Sequence, residues 1–204
     1  YMGTPTHDTD LQILLSALDE LWVRRPGGFR LTLVQAVRKP PARPWLKRLS
    51  PPAQARPYPR FARWLREQGP FDVGLAPLVD DRFNAAKSDI KILDYAALGL
   101  MSVVSDVAAY RDTAPESPFV VRCTNDGTAW VEALQELIDD PATIPVRSAQ
   151  VREYLWSHRN VAQYSLLLLG HLGLNEAHQD SAAIIAKASM PSDCFTPSAG
   201  RACG

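Results

Sequence analysis

Lys87, Ser88, Lys91 and Asp94 fall close together in the stretch DDRFNAAKSDIKILDYAALG, Asp80–Gly99. A helix starting at Ser88 or Asp89 turns its first backbone amides into the preceding loop, because those donors have no intrahelical acceptor. Such amides, joined by the Lys87 ammonium, suit a diphosphate. Lys91 and Asp94 are three residues apart and share a helix face. Asp94 could accept hydrogen bonds from sugar hydroxyls. The same residues also describe a capped helix with an exposed Lys91–Asp94 pair, which contributes little energy.

Two other loops could face the same ligand. In Gly3-Thr4-Pro5-Thr6-His7-Asp8 a glycine allows close approach to backbone, and Thr4 and Thr6 offer hydroxyls and amides. The helix that follows directs its amino-terminal donors here. A simple capping turn, with Asp8 or Thr9 as the cap, explains these residues equally well. The loop lacks the glycines and lysine of a Walker or dinucleotide fingerprint. Ser105–Asp112, after a buried strand, could line the same cleft.

Other chemistries find little footing. The 204 residues carry 22 basic and 22 acidic side chains. Zero net charge argues against a dedicated nucleic-acid binder. Cys123, Cys194 and Cys203 form no Cys-x-x-Cys pair, and His7, His158, His171 and His178 show no zinc spacing. The reading is a reduced, cytoplasmic chain without a metal. No apolar run, Leu166–Leu169 among them, is long enough to span a bilayer. No basic segment followed by an apolar one opens the chain, so no signal peptide is visible.

The elements that must position these loops alternate along the chain. Thr9–Trp22 reads as an amphipathic helix, stopped by Pro26-Gly27-Gly28. Phe29–Val37 reads as a strand. Seven of the 17 prolines lie between Pro40 and Pro59. That stretch is expected to be a long loop with at most a short strand near Gln54–Arg56. Arg60–Gln68 is a helix, Phe71–Leu78 a buried strand, Asp89–Leu98 a helix closed by Gly99, and Met101–Asp106 a second buried strand. Phe119–Cys123 is a short strand, Asp126–Asp139 a helix, and Val146–Leu172 a long helical region. Asn175–Gly204, rich in Ala and Ser, reads as a tail or linker. Strands apolar throughout, alternating with helices, indicate a doubly wound parallel sheet covered on both faces. In such sheets ligands bind at the carboxyl ends of the strands, where all three loops lie.

The order of residues also resembles a family. FDVGLAPLVDDRFNAAKSDIKILDYAALGLMSVVSD is similar to the carboxyl-terminal domain of GT-B-fold glycosyltransferases of the family-four ("group 1") type. The matching pieces are LAPL at Leu75–Leu78, KILDYAALG at Lys91–Gly99 and MSVVSD at Met101–Asp106. YMGTPTHDTDL looks like the first strand-to-helix turn of that domain, and REYLWSHRNVAQYS at Arg152–Ser165 like its terminal helices. The resemblance covers residues 1–172 as a nucleotide-sugar-binding, Rossmann-like domain, one half of a GT-B fold, with the first strand largely missing. Residues 173–204 form the tail.

The resemblance implies transfer of a sugar, of the retaining type, from a nucleotide-sugar to an acceptor held by a separate amino-terminal domain. The chain would then be the donor-binding part of a longer enzyme, with no cofactor beyond the donor itself. Membrane association would be peripheral and would come through other parts. Lys87 and Ser88 match the loop that approaches the diphosphate and donor sugar. Lys91 matches the lysine before the acidic position, and Asp94 the acid expected to bind the ribose. Gly3 and Thr4 match the turn near the phosphates, and His7 or Arg38 could supply polarity there. Departures are Ala86 where a first acid is usual, Asp94 in place of glutamate, and Met101 in place of proline. The basic pair that usually follows the first strand has no match in GTPTHDTD. These departures leave open a second reading, a non-catalytic interaction module that kept the fold and lost the donor site.

Overall fold

The computed structural model describes residues 1–114, 117–159 and Ser165. The expected tail, 173–204, and the far part of the helical region expected over Val146–Leu172 lie outside the described residues. Tyr1–Leu155 forms one compact unit.

The chain builds an α/β unit in which every strand pairing is parallel. Asp8–Arg24 is α1, followed by β1, Leu31–Val34, and β2, Leu46–Leu49. Tyr58–Glu67 is α2, Val73–Ala76 β3, Ile90–Ala97 α3 and Met101–Ser105 β4. The short α4, Ala108–Arg111, precedes β5, Val120–Cys123, then α5, Gly127–Asp139, and α6, Thr143–His158. Single 3₁₀ turns occupy Ala53–Ala55 and Asn84–Ala86. One sheet has the order β1-β2 and the other β3-β4-β5. The architecture is compatible with a Rossmann-like fold.

Local chemistry accounts for most of these elements. The α1 side chains Leu11, Leu14, Leu18 and Leu21 recur at helical spacing and are all buried. Asp126 caps α5 by accepting the Ala129 N–H at 2.9 Å. α3 ends in a Schellman turn: Gly99 takes φ 76°, its N–H donates to Ala96 O, and the Leu100 N–H donates to Tyr95 O. All five β4 residues are buried, which requires cover on both faces of the sheet there. α1 packs on α5, and α3 on β3 and β4.

The proline-rich stretch departs from expectation. The short strand lies at Leu46–Leu49, not near Gln54–Arg56, which forms the 3₁₀ turn Ala53–Ala55 ending at Arg56. Leu46–Leu49 is the proline-free window between Pro44 and Pro51, so its amides can pair. It pairs only with β1, as an edge strand, and exposes Lys47 and Arg48. The Gln54 region sits between Pro52 and Pro57 and curls into a turn. α2 begins earlier than expected because prolines fit a helix's first turn. α6 likewise starts at Thr143 and takes Pro145 into its first turn.

The overall balance of charge conceals a strong local one. Between Leu21 and Arg66 stand 12 of the 22 basic residues and no acidic one. Lys47 and Arg48 on β2 and Arg60, Arg63 and Arg66 on α2 are exposed.

Candidate functional site

The carboxyl ends of the strands gather a set of polar groups. Gly3–His7 follows the two residues, Tyr1 and Met2, that pair beside β1. Pro77–Asn84 follows β3 and leads into α3, and Ser105 ends β4. The loop after β3 is pinned from four directions. Ser105 Oγ accepts the Leu78 N–H at 2.8 Å and donates to Asn125 Oδ1 at 2.6 Å. Asn125 Nδ2 donates to Leu78 O at 2.8 Å. Asn84 Nδ2 donates to Val79 O, and Asp10 Oδ1 accepts the Val79 N–H, both at 2.8 Å. These bonds replace the ladder the chain leaves when β3 ends, so its buried polar groups stay satisfied. The third loop therefore contributes an anchor, Ser105, rather than an open lining.

A second network runs across this platform. His7 Nδ1 lies 2.6 Å from Asp10 Oδ2, and His7 Nε2 lies 3.4 Å from Lys91 Nζ. With the ammonium donating to Nε2, the ring hydrogen sits on Nδ1 and is donated to Asp10. Lys91 also stands over the Tyr1 ring, 4.7 Å from its centroid. Burial pushes the Lys91 ammonium down to about 8; Asp10 opposes that shift and Lys87 adds to it. Burial alone would raise the Asp10 carboxyl. The bonds from His7 and Val79 and the nearby Lys91 win, and hold it below the ordinary carboxylate value.

The residues singled out in the sequence are placed unequally. Gly3, His7 and Lys91 are brought together. Gly3 makes room for a side chain, since a Cβ there would stand 2.7 Å from His7 Cδ2. Its opening is filled by the His7 ring. Lys87 stacks on the Phe83 ring at 5.2 Å and is half-buried beside the amino end of α3. Ser88 is exposed there. Asp89 is the backbone N-cap and its carboxylate accepts a hydrogen bond from Thr113. Thr4 and Thr6 are exposed and bonded to each other through their hydroxyls at 3.0 Å.

Lys91 and Asp94 do not form the expected surface pair. Lys91 turns inward to His7, while Asp94 accepts from the Tyr58 hydroxyl on α2. Burial raises the Asp94 carboxyl, and the Tyr58 bond pulls it back only in part. Nor do Asp8 and Thr9 cap α1. His7 is the N-cap, and the Asp8 carboxylate accepts the Arg38 N–H at 3.1 Å. Asp8 and Asp10 put two carboxylates in the first turn of α1, whereas the amino end of α3 has Lys87 and Lys91 beside the N-cap Asp89, whose carboxylate is engaged with Thr113. An anion is better served at α3.

Asp10, Tyr58, Asn84 and Asn125 were not reached from sequence. For Asp10 a signal existed: His7 and Asp10 are three apart at a helix start and share a face. Asn84 acts locally, on Asp81 and Val79, whereas Tyr58 and Asn125 act across long separations. Among the described residues no group of three or more His, Cys, Asp or Glu could hold a metal ion. None of the described helices is long and apolar enough to cross a membrane. The sequence matches no protein-family model, and no curated protein matches it.

Proposed function

We propose that this unit is the nucleotide-sugar-binding domain of a GT-B-type glycosyltransferase. The observation that carries the reading is Lys91, an ammonium half-buried at the carboxyl end of a parallel sheet, with Lys87 beside it. Both adjoin the amino end of α3. Burial disfavours the Lys91 ammonium, and an anionic ligand beside it would offset that cost. In transfer, the bond between the anomeric carbon and the diphosphate oxygen breaks, a bond to the acceptor hydroxyl oxygen forms, and the proton of that hydroxyl passes to the departing diphosphate. Lys87, Lys91 and the first amides of α3 stabilise the charge that grows on the departing diphosphate. Asp94 accepts from the ribose hydroxyls, using the carboxylate oxygen that Tyr58 leaves. The acceptor would be held by another domain.

Calorimetric titration with a panel of nucleoside diphosphates tests this. Micromolar binding by at least one, weakened tenfold or more by Lys87→Ala and by Asp94→Ala, is the expected result. Absence of heat with every member, from a chain whose circular dichroism shows it folded, would sink the reading.

A second reading draws on a specific observation. The Gly3 opening is filled by His7, Lys91 is engaged with His7 and Tyr1, and Tyr58 occupies Asp94. A site whose groups already satisfy one another fits an interaction module that no longer takes a donor. The same titration separates the two.

A further inference from the structure

The parallel pairing stops in the middle of the fold. β1 pairs with β2, β3 pairs with β4, and β1 and β3 do not pair. Between these two edges lies a cavity of about 640 Å³. Leu31, Thr32 and Val34 form one wall and Val73 and Leu75 the other, with Leu21 and Leu137 among the apolar groups that cover it.

Tyr1 and Met2 enter this space along β1. The Val34 N–H donates to Tyr1 O at 2.9 Å, and the Gly3 N–H donates to Val34 O at 3.2 Å. The Tyr1 amino group donates to Thr32 O at 2.9 Å. This is the bonding of a parallel strand beside β1, already in register, with Met2 bridged to Val34. On the opposite wall a side chain stands where a strand would be. Tyr95 donates its hydroxyl hydrogen to Leu75 O at 2.7 Å, and its own hydroxyl oxygen accepts the Met2 N–H at 3.3 Å. Burial pushes the Tyr1 amino group down to about 5, so its surroundings suit an uncharged peptide nitrogen better than an ammonium.

We propose that the cavity between β1 and β3 receives one extended apolar peptide strand, parallel to both and joined to Tyr1 at its nitrogen. The register continues from Met2 opposite Val34, so about three further residues reach the level of Arg30 at the rise of a strand. Their peptide groups would meet the Thr32 N–H on β1 and the Arg30 carbonyl just before it. Both faces of the slot are covered, so every side chain entering it is apolar, and β-branched ones fit best. Arg30, Lys47, Gln68 and Asp72 line the cavity too and offer polar company at its entrance. The inference stands on sheet geometry and is independent of the donor-binding reading.

The test compares the 204-residue chain with two fusions that add Ser-Val-Ile-Val or Ser-Gly-Ser-Gly ahead of Tyr1. Hydrogen–deuterium exchange of the Thr32 and Val73 amides and the melting temperature are measured in each. The apolar fusion should slow exchange at these amides at least tenfold and raise Tm by several degrees, and the Gly/Ser fusion should do neither. Equal exchange in both fusions overturns the proposal. Protection by a free acetylated Ser-Val-Ile-Val peptide but not by the fusion overturns the continuity with Tyr1. If the apolar fusion aggregates, Ser-Thr-Val-Thr in its place gives the same comparison.

Discussion

The Tyr95 ring lies in the space where a side chain at Gly74 would stand: a Cβ built on Gly74 falls inside van der Waals contact of three ring carbons. Tyr95 is 3% exposed, and its hydroxyl reaches Leu75 O and the Met2 N–H. The absence of a side chain on β3 therefore decides where α3 sits against the sheet. Gly74→Ala should cost about 3 kcal/mol through overpacking, or about 6–12 °C in Tm for a chain of this size. A thermal melt by circular dichroism checks it. An unchanged midpoint would mean that the ring has another place to go.

Ser105 is fully buried and serves two partners, Leu78 and Asn125. Ser105→Ala strands the buried Leu78 N–H and frees the Asn125 amide oxygen, which is on an exposed residue. The expected loss is about 1–3 kcal/mol by urea unfolding, the cost of one unmet buried group. Ser105→Thr keeps the hydroxyl but adds a methyl to a packed position, so it tests volume separately from hydrogen bonding.

Asp10 contributes stability that depends on acid. Its folded value lies below the ordinary 3.8, so the carboxylate's contribution is present above that pH. It is lost as pH falls through the folded value. Asp10→Asn should destabilise the chain by about 2 kcal/mol at pH 7, because the amide cannot accept from both His7 and Val79. The gap between the two proteins should close below about pH 4 in urea titrations. A gap that stays constant to pH 2 would assign the loss to shape rather than charge.

Lys91 shifts the other way. Its folded value of about 8 lies below the ordinary 10.5, so at pH 7 the chain carries a buried ammonium that folding disfavours. Lys91→Met should raise stability at pH 7 by about 1–2 kcal/mol. Between pH 8 and 10.5 the native protein sheds this proton before the unfolded chain does, so its own stability rises with pH. The advantage of the variant should therefore shrink across that window. The same variant should abolish nucleoside diphosphate binding, if the proposed function holds. Lower stability at pH 7 would show that the contacts with His7 and the Tyr1 ring outweigh burial.

Parts of this fold were legible because the local chemistry was unambiguous. MSVVS has no polar alternation and reads as a strand covered on both faces. Gly99 and Asp126 mark helix ends by backbone freedom and side-chain capping. β2 was not legible, since the prolines around Leu46–Leu49 carry the stronger local message and the strand owes its existence to an edge supplied by β1. Within the site, Lys87 and Lys91 could be placed near a helix start from spacing alone. The inward turn of Lys91 could not, because it depends on His7 reaching α3 across 84 positions in sequence. The Tyr58–Asp94 bond and the Ser105–Asn125 clasp likewise join segments that share no sequence signal.

The acid-free run from Leu21 to Arg66 has a consequence for how this molecule meets others. Zero total charge does not make the surface uniform: Lys47 and Arg48 on β2 and Arg60, Arg63 and Arg66 on α2 are exposed cations in a segment without acids. Near a polyanion, within about 8–10 Å at physiological salt, these side chains would feel the attraction first. Neutrality here describes the sum of the charges and not their placement.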